Sequence, residues 1–208
     1  MLAGKVKKIM SFSESKIIDR LLSVIEQDIV PKTREGVKAG NKLFGAAILK
    51  KEDLSTLVSS TNTETENPLW HGEVHTMKKL YELPRKKRPN PRDCIFLATH
   101  EPCSLCLSAI TWGGYDNFYY LFSFEDSRDS FNIPHDLRIL KEVFKVENGD
   151  YSHDNYYWKS HDLVKLVDGY QGELKRSFLD RIENLKAVYA EMSDVYQSSK
   201  GDADIPLD

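Results

Sequence analysis

Hydrophobic positions in this chain switch repeatedly between two periods, and the switches mark out alternating helices and strands. Over residues 13–30, Ile17, Ile18, Leu21, Leu22, Ile25 and Ile29 recur at helical spacing and predict an amphipathic helix. Pro31 suits either the end of that helix or the first turn of a second, short one running to Ala39, with Gly40 as its stop. The run LFGAAILK (43–50) has the length of a buried strand, and a second strand is expected near 54–59 after a charged turn. STNTETENP (60–68) reads as a polar loop. A helix is predicted over 69–83, where Val74, Met77, Leu80 and Tyr81 share a face, and a buried strand over CIFLAT (94–99). Pro102 opens another helix that stops at Gly113 and Gly114, followed by a strand over NFYYLFSF (117–124) and a helix over HDLRILKEVF (135–144). The polar, aromatic-rich stretch 145–172 yields no assignment. Phe178, Ile182, Leu185 and Val188 then line one stripe of a final helix over 173–192, ahead of a polar tail.

Strands alternating with helices point to the α/β class, here a three-layer α/β/α sandwich around a mixed central sheet of about five strands. The expected organisation is N-terminal helices over 1–40, a core over 41–150, and a C-terminal extension with its helix over 151–208, packed on the same domain. A chain of 208 residues is long enough to bury such a core. No apolar run approaches the roughly 20 residues that span a bilayer, and the first residues lack the apolar stretch of a secretory signal. A cytoplasmic protein without a membrane partner is expected. The formal net charge of −3 gives no global case for binding nucleic acid.

Chemistry enters with the cysteines. Cys94, Cys103 and Cys106 are too few, and odd in number, for a disulfide framework. Cys94 begins an apolar strand and reads as core. Cys103 and Cys106 stand three apart at a helix start, which puts both sulfurs on one face where the helix N-terminus favours thiolates. His71-Gly72-Glu73, at the start of another helix, supplies an imidazole. Two thiolates and one imidazole make three zinc ligands and leave a fourth position for water, which zinc acidifies to near neutral pH. Glu73, two residues from His71, is placed to move protons without binding metal. An H-x-E triplet followed by P-C-x-x-C is the spacing of the zinc nucleobase deaminases.

On these residues the sequence resembles the cytidine deaminase superfamily, over roughly 35–145. EGVKAG followed by LFGAAIL (35–49) resembles the first helix end and first strand of bacterial guanine deaminases and tRNA adenosine deaminases. NPLWHGEV is similar to their DP-x-x-H-A-E-V element, and EPCSLCLSAITW to the E-P-C-x-M-C-x-G-A-I-x-W run of guanine deaminases. Glycine between His71 and Glu73 is similar to fungal cytosine deaminase. The resemblance implies His71, Cys103 and Cys106 as zinc ligands and Glu73 as proton shuttle. It implies Asn62 and the backbone N–H of Gly72 as groups that hold the base, and Trp112 as a pocket-lining residue. It further implies a homodimer or larger assembly that hydrolytically removes the exocyclic amine of a small molecule and releases ammonia. That molecule would be a free base or nucleoside, either an aminopurine such as guanine or an aminopyrimidine such as cytosine or cytidine. Trp70 stands where the family usually carries a small residue. Two other readings stay open: a deaminase editing tRNA or single strands, and a catalytically silent deaminase-like subunit that binds a partner.

The remaining titratable residues carry plainer expectations. His75 reads as a surface or dimer-contact residue, since an H-E-x-x-H metal motif is excluded by Gly72 in place of its glutamate. His100 reads as loop packing, and Glu101 as a charge near the cap of the cysteine helix. Arg85, Lys86, Lys87, Arg88 and Arg92 read as a solvated loop.

Overall fold

The computed structural model describes residues 12–207. Its first helix, α1 (Glu14–Val24), is capped by the Ser13 side chain, which accepts a hydrogen bond from the Lys16 N–H. A π-helical turn over Ile25–Ile29 runs straight into α2 (Val30–Lys38), so the long amphipathic helix and its short successor form one rod. Pro31 sits in the first turn of α2, where a missing N–H is tolerated.

The chain then lays down β1 (Gly45–Lys50), β2 (Thr56–Thr61), α3 (Gly72–Glu82), β3 (Cys94–Ala98), α4 (Ser104–Trp112) and β4 (Asn117–Tyr120). It continues with α5 (His135–Phe144), β5 (Lys159–Asp162), α6 (Leu163–Asp168) and α7 (Gly172–Ser199). The five strands form one sheet in the order β2-β1-β3-β4-β5. β1 is antiparallel to both neighbours, whereas β3, β4 and β5 run parallel, so the sheet is mixed.

Side chains alternate cleanly across the sheet, as a period of two requires. Ala46, Ile48, Phe96, Phe118 and Tyr120 face α3 and α4, where they meet Leu80, Ile110, Tyr115 and Trp158. Their neighbours Ala47, Leu49, Ile95 and Leu97 face the other way, into a larger cluster with Leu21, Leu22, Ile25 and Ile29. Phe178, Ile182, Leu185 and Tyr189 of α7 complete that second layer. The result is three layers, α/β/α. Among the described residues no helix is long and apolar enough to cross a membrane.

Several elements differ from their sequence expectation. The strand after the cysteine helix ends at Tyr120, although Phe122 still makes a lone parallel bridge to His100. The unassigned stretch 145–172 contains an edge strand, β5, whose alternation is obscured because none of its residues is fully buried, and the short α6. The last helix begins one residue early and extends to Ser199.

Because α7 supplies so much of the second layer, truncating its core side chains is expected to unfold the whole domain more readily. Ile182→Ala, at a position 1% exposed, should cost about 2–5 kcal/mol in urea unfolding. Lys186→Ala, on the solvent side of the same helix, should stay within about 0.5 kcal/mol.

Candidate metal centre and active site

The register of β1 on β3 pairs Ala46 with Ala98, so the start of β1 and the end of β3 share one edge of the sheet. The end of β2 lies there too, because Gly45 pairs with Thr61. Loops leaving β2 and β3 at this edge carry His71 and the cysteines, the place where open α/β sheets collect ligands. His71 occupies the cap position of α3 with extended backbone angles, and Cys103 does the same for α4. Pro102 therefore precedes the helix and does not start it, and Glu101 lies outside the cap.

The cap of α3 is held from the β2 side. Asn62, fully buried, accepts the Gly72 N–H on Oδ1. Thr63 N–H bonds the Trp70 carbonyl at 2.9 Å, closing the loop between them. Gly72 itself lies against β1: a β-carbon there would stand 2.8 Å from Gly45 Cα and 3.0 Å from the Phe44 carbonyl oxygen. No side chain fits, which explains the glycine between His71 and Glu73 in this chain.

His71 Nδ1 lies 3.4 Å from Cys103 Sγ and 3.7 Å from Cys106 Sγ, and the three ligand atoms all fall within 4.8 Å of one another. A tetrahedral zinc with Zn–N near 2.0 Å and Zn–S near 2.3 Å separates nitrogen from sulfur by about 3.5 Å. The cluster fits that ion. Glu73 sits beside it, with its Oε2 accepting a hydrogen bond from Cys106 Sγ at 3.2 Å.

The electrostatics are those of a site built for charge. The hydrogen bond from Cys106 holds the Cys103 thiol well below its usual range, whereas burial pushes Cys106 well above it. Burial works against a charge on His71, but the hydrogen bond and negative charge of Cys103 outweigh it and lift the imidazole to about 9. Burial pushes Glu73 up to about 7, aided by the charge on Cys103. Metal entering the cluster must displace protons from these groups.

Beside the cluster opens a cavity of about 390 Å³. Phe44, Leu69, Leu105, Ile133 and Ile139 give it apolar walls, and Lys42, Glu64 and Asp136 are among its polar residues. Sequence reasoning missed these three. Asp136 belongs to no motif and is marked only by its place in the first turn of α5. Burial pushes its carboxyl well above the usual range, with Cys103 contributing. Lys42 and Glu64 pair at 2.9 Å and are both buried, one just before a strand and the other in a loop read as polar.

The structure brings His71, Glu73, Cys103 and Cys106 together, with Gly72 and Asn62 directly behind them. Asn62 and the Gly72 N–H are engaged with each other. Trp112 is not brought to the site: it stands at the far end of α4 and is 91% exposed. His75 is buried and not on the surface, its Nδ1 within 3.0 Å of Ser60 Oγ and 3.1 Å of the Thr61 carbonyl oxygen. His100 is packed among Phe44, Phe122, Phe131 and Tyr189, and its burial keeps the imidazole neutral, well below its usual pKa. Glu101 bonds the Phe124 N–H at 3.1 Å and the Tyr151 hydroxyl at 2.8 Å, tying later segments to the cysteine loop. Cys94 is fully buried, next to the Asn90 carbonyl.

Comparison with known proteins places this geometry. Residues 25–122 match the cytidine and deoxycytidylate deaminase zinc-binding region. The chain is 31% identical over 113 residues to the guanine deaminase of Bacillus subtilis (strain 168), covering 53% of this chain and 69% of that protein. An X-ray structure of guanine deaminase from Bacillus subtilis is 26% identical, covering 69% of this chain and 87% of that one, with a TM-score of 0.46. A guanine deaminase from Nitrosomonas europaea is 14% identical over 84% of this chain and 85% of its own, with a TM-score of 0.45.

Two outcomes follow from the centre's construction. Cys103→Ser is expected to lose both bound zinc and folding stability, read by elemental analysis alongside thermal unfolding. Gly72→Ala should cost about 1–3 kcal/mol in urea unfolding because its β-carbon meets backbone that has nowhere to move.

Proposed function

The chain belongs to the cytidine deaminase superfamily, as a zinc-dependent hydrolytic deaminase, and from that premise we propose that its substrate is a free aminated base or its nucleoside. The observation that carries the proposal is the chemistry of the cavity beside His71 and Cys103. Its walls are largely apolar, suited to a flat ring. Lys42 is the sole lysine or arginine among its described lining residues, and its charge is spent on Glu64. A phosphate would want a free lysine or arginine there. The basic residues 85–92 lie beyond the far end of α3, a helix of 11 residues and so about 16 Å long. The guanine deaminase relative supports a small base as substrate, an aminopurine such as guanine or an aminopyrimidine such as cytosine.

In this reading His71, Cys103 and Cys106 would hold the zinc, which when bound would supply an acidified water. Glu73 is the group that accepts a proton beside the cluster and delivers protons to the ring nitrogen and to the departing ammonia. A carboxyl lifted toward neutrality by burial suits a group that must both accept and donate. Asn62 fixes the Gly72 backbone behind Glu73 and so keeps that carboxyl aimed. Asp136, which lines the cavity beside the cluster, is the group that meets the ring N–H or amino edge of the base. The protein acts as a homodimer in the same reading. Supporting this, Trp112, Tyr156 and Tyr157 are exposed aromatic side chains, and Thr111 accepts the Trp158 indole N–H at 2.8 Å.

The test is ammonia release by the zinc-loaded protein over matched bases, nucleosides, monophosphates and tRNA. The expected result is the highest kcat/KM for a base or nucleoside; a clear preference for monophosphate or tRNA would overturn the substrate reading. Glu73→Gln should keep its zinc and lose turnover by at least 10²–10⁴-fold, on the order expected for a general acid–base group. Sedimentation velocity checks the dimer.

A further inference from the structure

A carboxylate buried in a cavity wall is costly unless its partners compensate for the lost water, and Glu64 is such a group, with a side chain 2% exposed. Its partners are well defined. Lys42 Nζ donates to Oε1 at 2.9 Å, Asn62 Nδ2 donates to Oε2 at 2.8 Å, and the Lys42 backbone N–H reaches Oε2 at 3.3 Å. The same Oε1 stands 3.8 Å from His71 Nε2, a charge contact rather than a hydrogen bond. The two ring nitrogens of His71 thus face opposite ways, Nδ1 toward the sulfurs of Cys103 and Cys106 and Nε2 toward Glu64.

That arrangement matters because the ring can offer Nδ1 to a metal only when its proton resides on Nε2. A carboxylate beyond Nε2 favours that tautomer, orients the ring and makes Nδ1 a better donor. We infer that Glu64, held by Lys42 and Asn62, is a positioning residue for the metal centre: it selects the tautomer of His71 that presents Nδ1 to zinc. Lys42 neutralises the carboxylate so that it can be buried, and Asn62 joins it to the Gly72 N–H at the start of α3. One buried chain of contacts therefore sets both the ligand histidine and the helix that carries Glu73. The inference rests on the reading of His71 as a zinc ligand.

The test compares the full-length protein with Glu64→Gln, Lys42→Met and the double variant, using three measurements on each. Zinc affinity is measured by competition with a chromophoric chelator, the visible bands of cobalt(II)-loaded protein report the ligand field, and urea unfolding reports folding. Glu64→Gln should weaken zinc binding by about 10–100-fold, as loss of an outer partner does, and shift the cobalt bands. Lys42→Met should unfold at lower urea, since it leaves the carboxylate buried without its cation, and should weaken zinc binding less than Glu64→Gln does, since Asn62 still holds the carboxylate. The double variant should regain the unfolding midpoint yet keep the weakened zinc affinity, which separates positioning from mere structural pairing. Wild-type zinc affinity with unshifted cobalt bands in Glu64→Gln would overturn the inference while leaving the zinc reading intact. Absence of zinc binding in the wild type would overturn both.

Discussion

The first turn of α3 rests directly on the backbone of β1, and the arrangement of the site depends on that contact. Gly72 meets Gly45 with no side chain between them, and one turn later Thr76 Oγ1 reaches the Ala46 carbonyl at 3.2 Å. Thr99 Oγ1 accepts the Gly45 N–H at 3.0 Å, so the end of β3 is tied to the same point. The start of β1 is therefore a common origin for two loops. From it His71 falls immediately before α3 and Glu73 immediately inside, while the chain leaving β3 reaches Cys103 within a few residues. Three ligand atoms from two distant segments meet because both segments are measured from one stretch of backbone.

How much of this was legible in the sequence depends on whether a feature was local. Helical stripes and apolar runs placed most elements, because burial on one face leaves a period that any window reveals. The strand β5 was missed for the converse reason: it is an edge with partly exposed residues on both faces, so neither period shows. His71, Glu73, Cys103 and Cys106 were readable as candidates because the chemistry requires those residue types at short separations. Asp136, Lys42 and Glu64 were not, since each owes its place to tertiary packing. A lysine before a strand and a glutamate in a polar loop look solvated until the fold buries them against each other. His75 misled in the same way, an imidazole whose hydrogen-bond partners lie on β2 and the loop that follows. Trp112 matched a tryptophan at the end of the family's cysteine helix, yet α4 carries it away from the metal end.

The two sides of the cavity come from different parts of the chain and have different character. The floor is built by the loops after β2 and β3, where nearly every polar atom has a partner. Ile133, His135, Asp136 and Ile139 on the opposite wall come from the approach to α5 and its first turns, with Ile205, Pro206 and Leu207 of the tail beyond them.

The long reach of α7 has a consequence for how the molecule is made. Arg181 bonds Glu26 and Asp19, partners 155 and 162 residues earlier in the chain. The same helix buries the apolar stripe of α1 and α2. Pairings of such separation are slow to close, and on the ribosome, at roughly 5–20 residues per second, the N-terminal rod waits many seconds for its cover. Until then the cluster that holds Leu21, Leu22 and Ile25 lacks Phe178, Ile182, Leu185 and Tyr189. Closure of the second layer is then gated by the emergence of α7 and not by assembly of the loops that carry His71 and the cysteines.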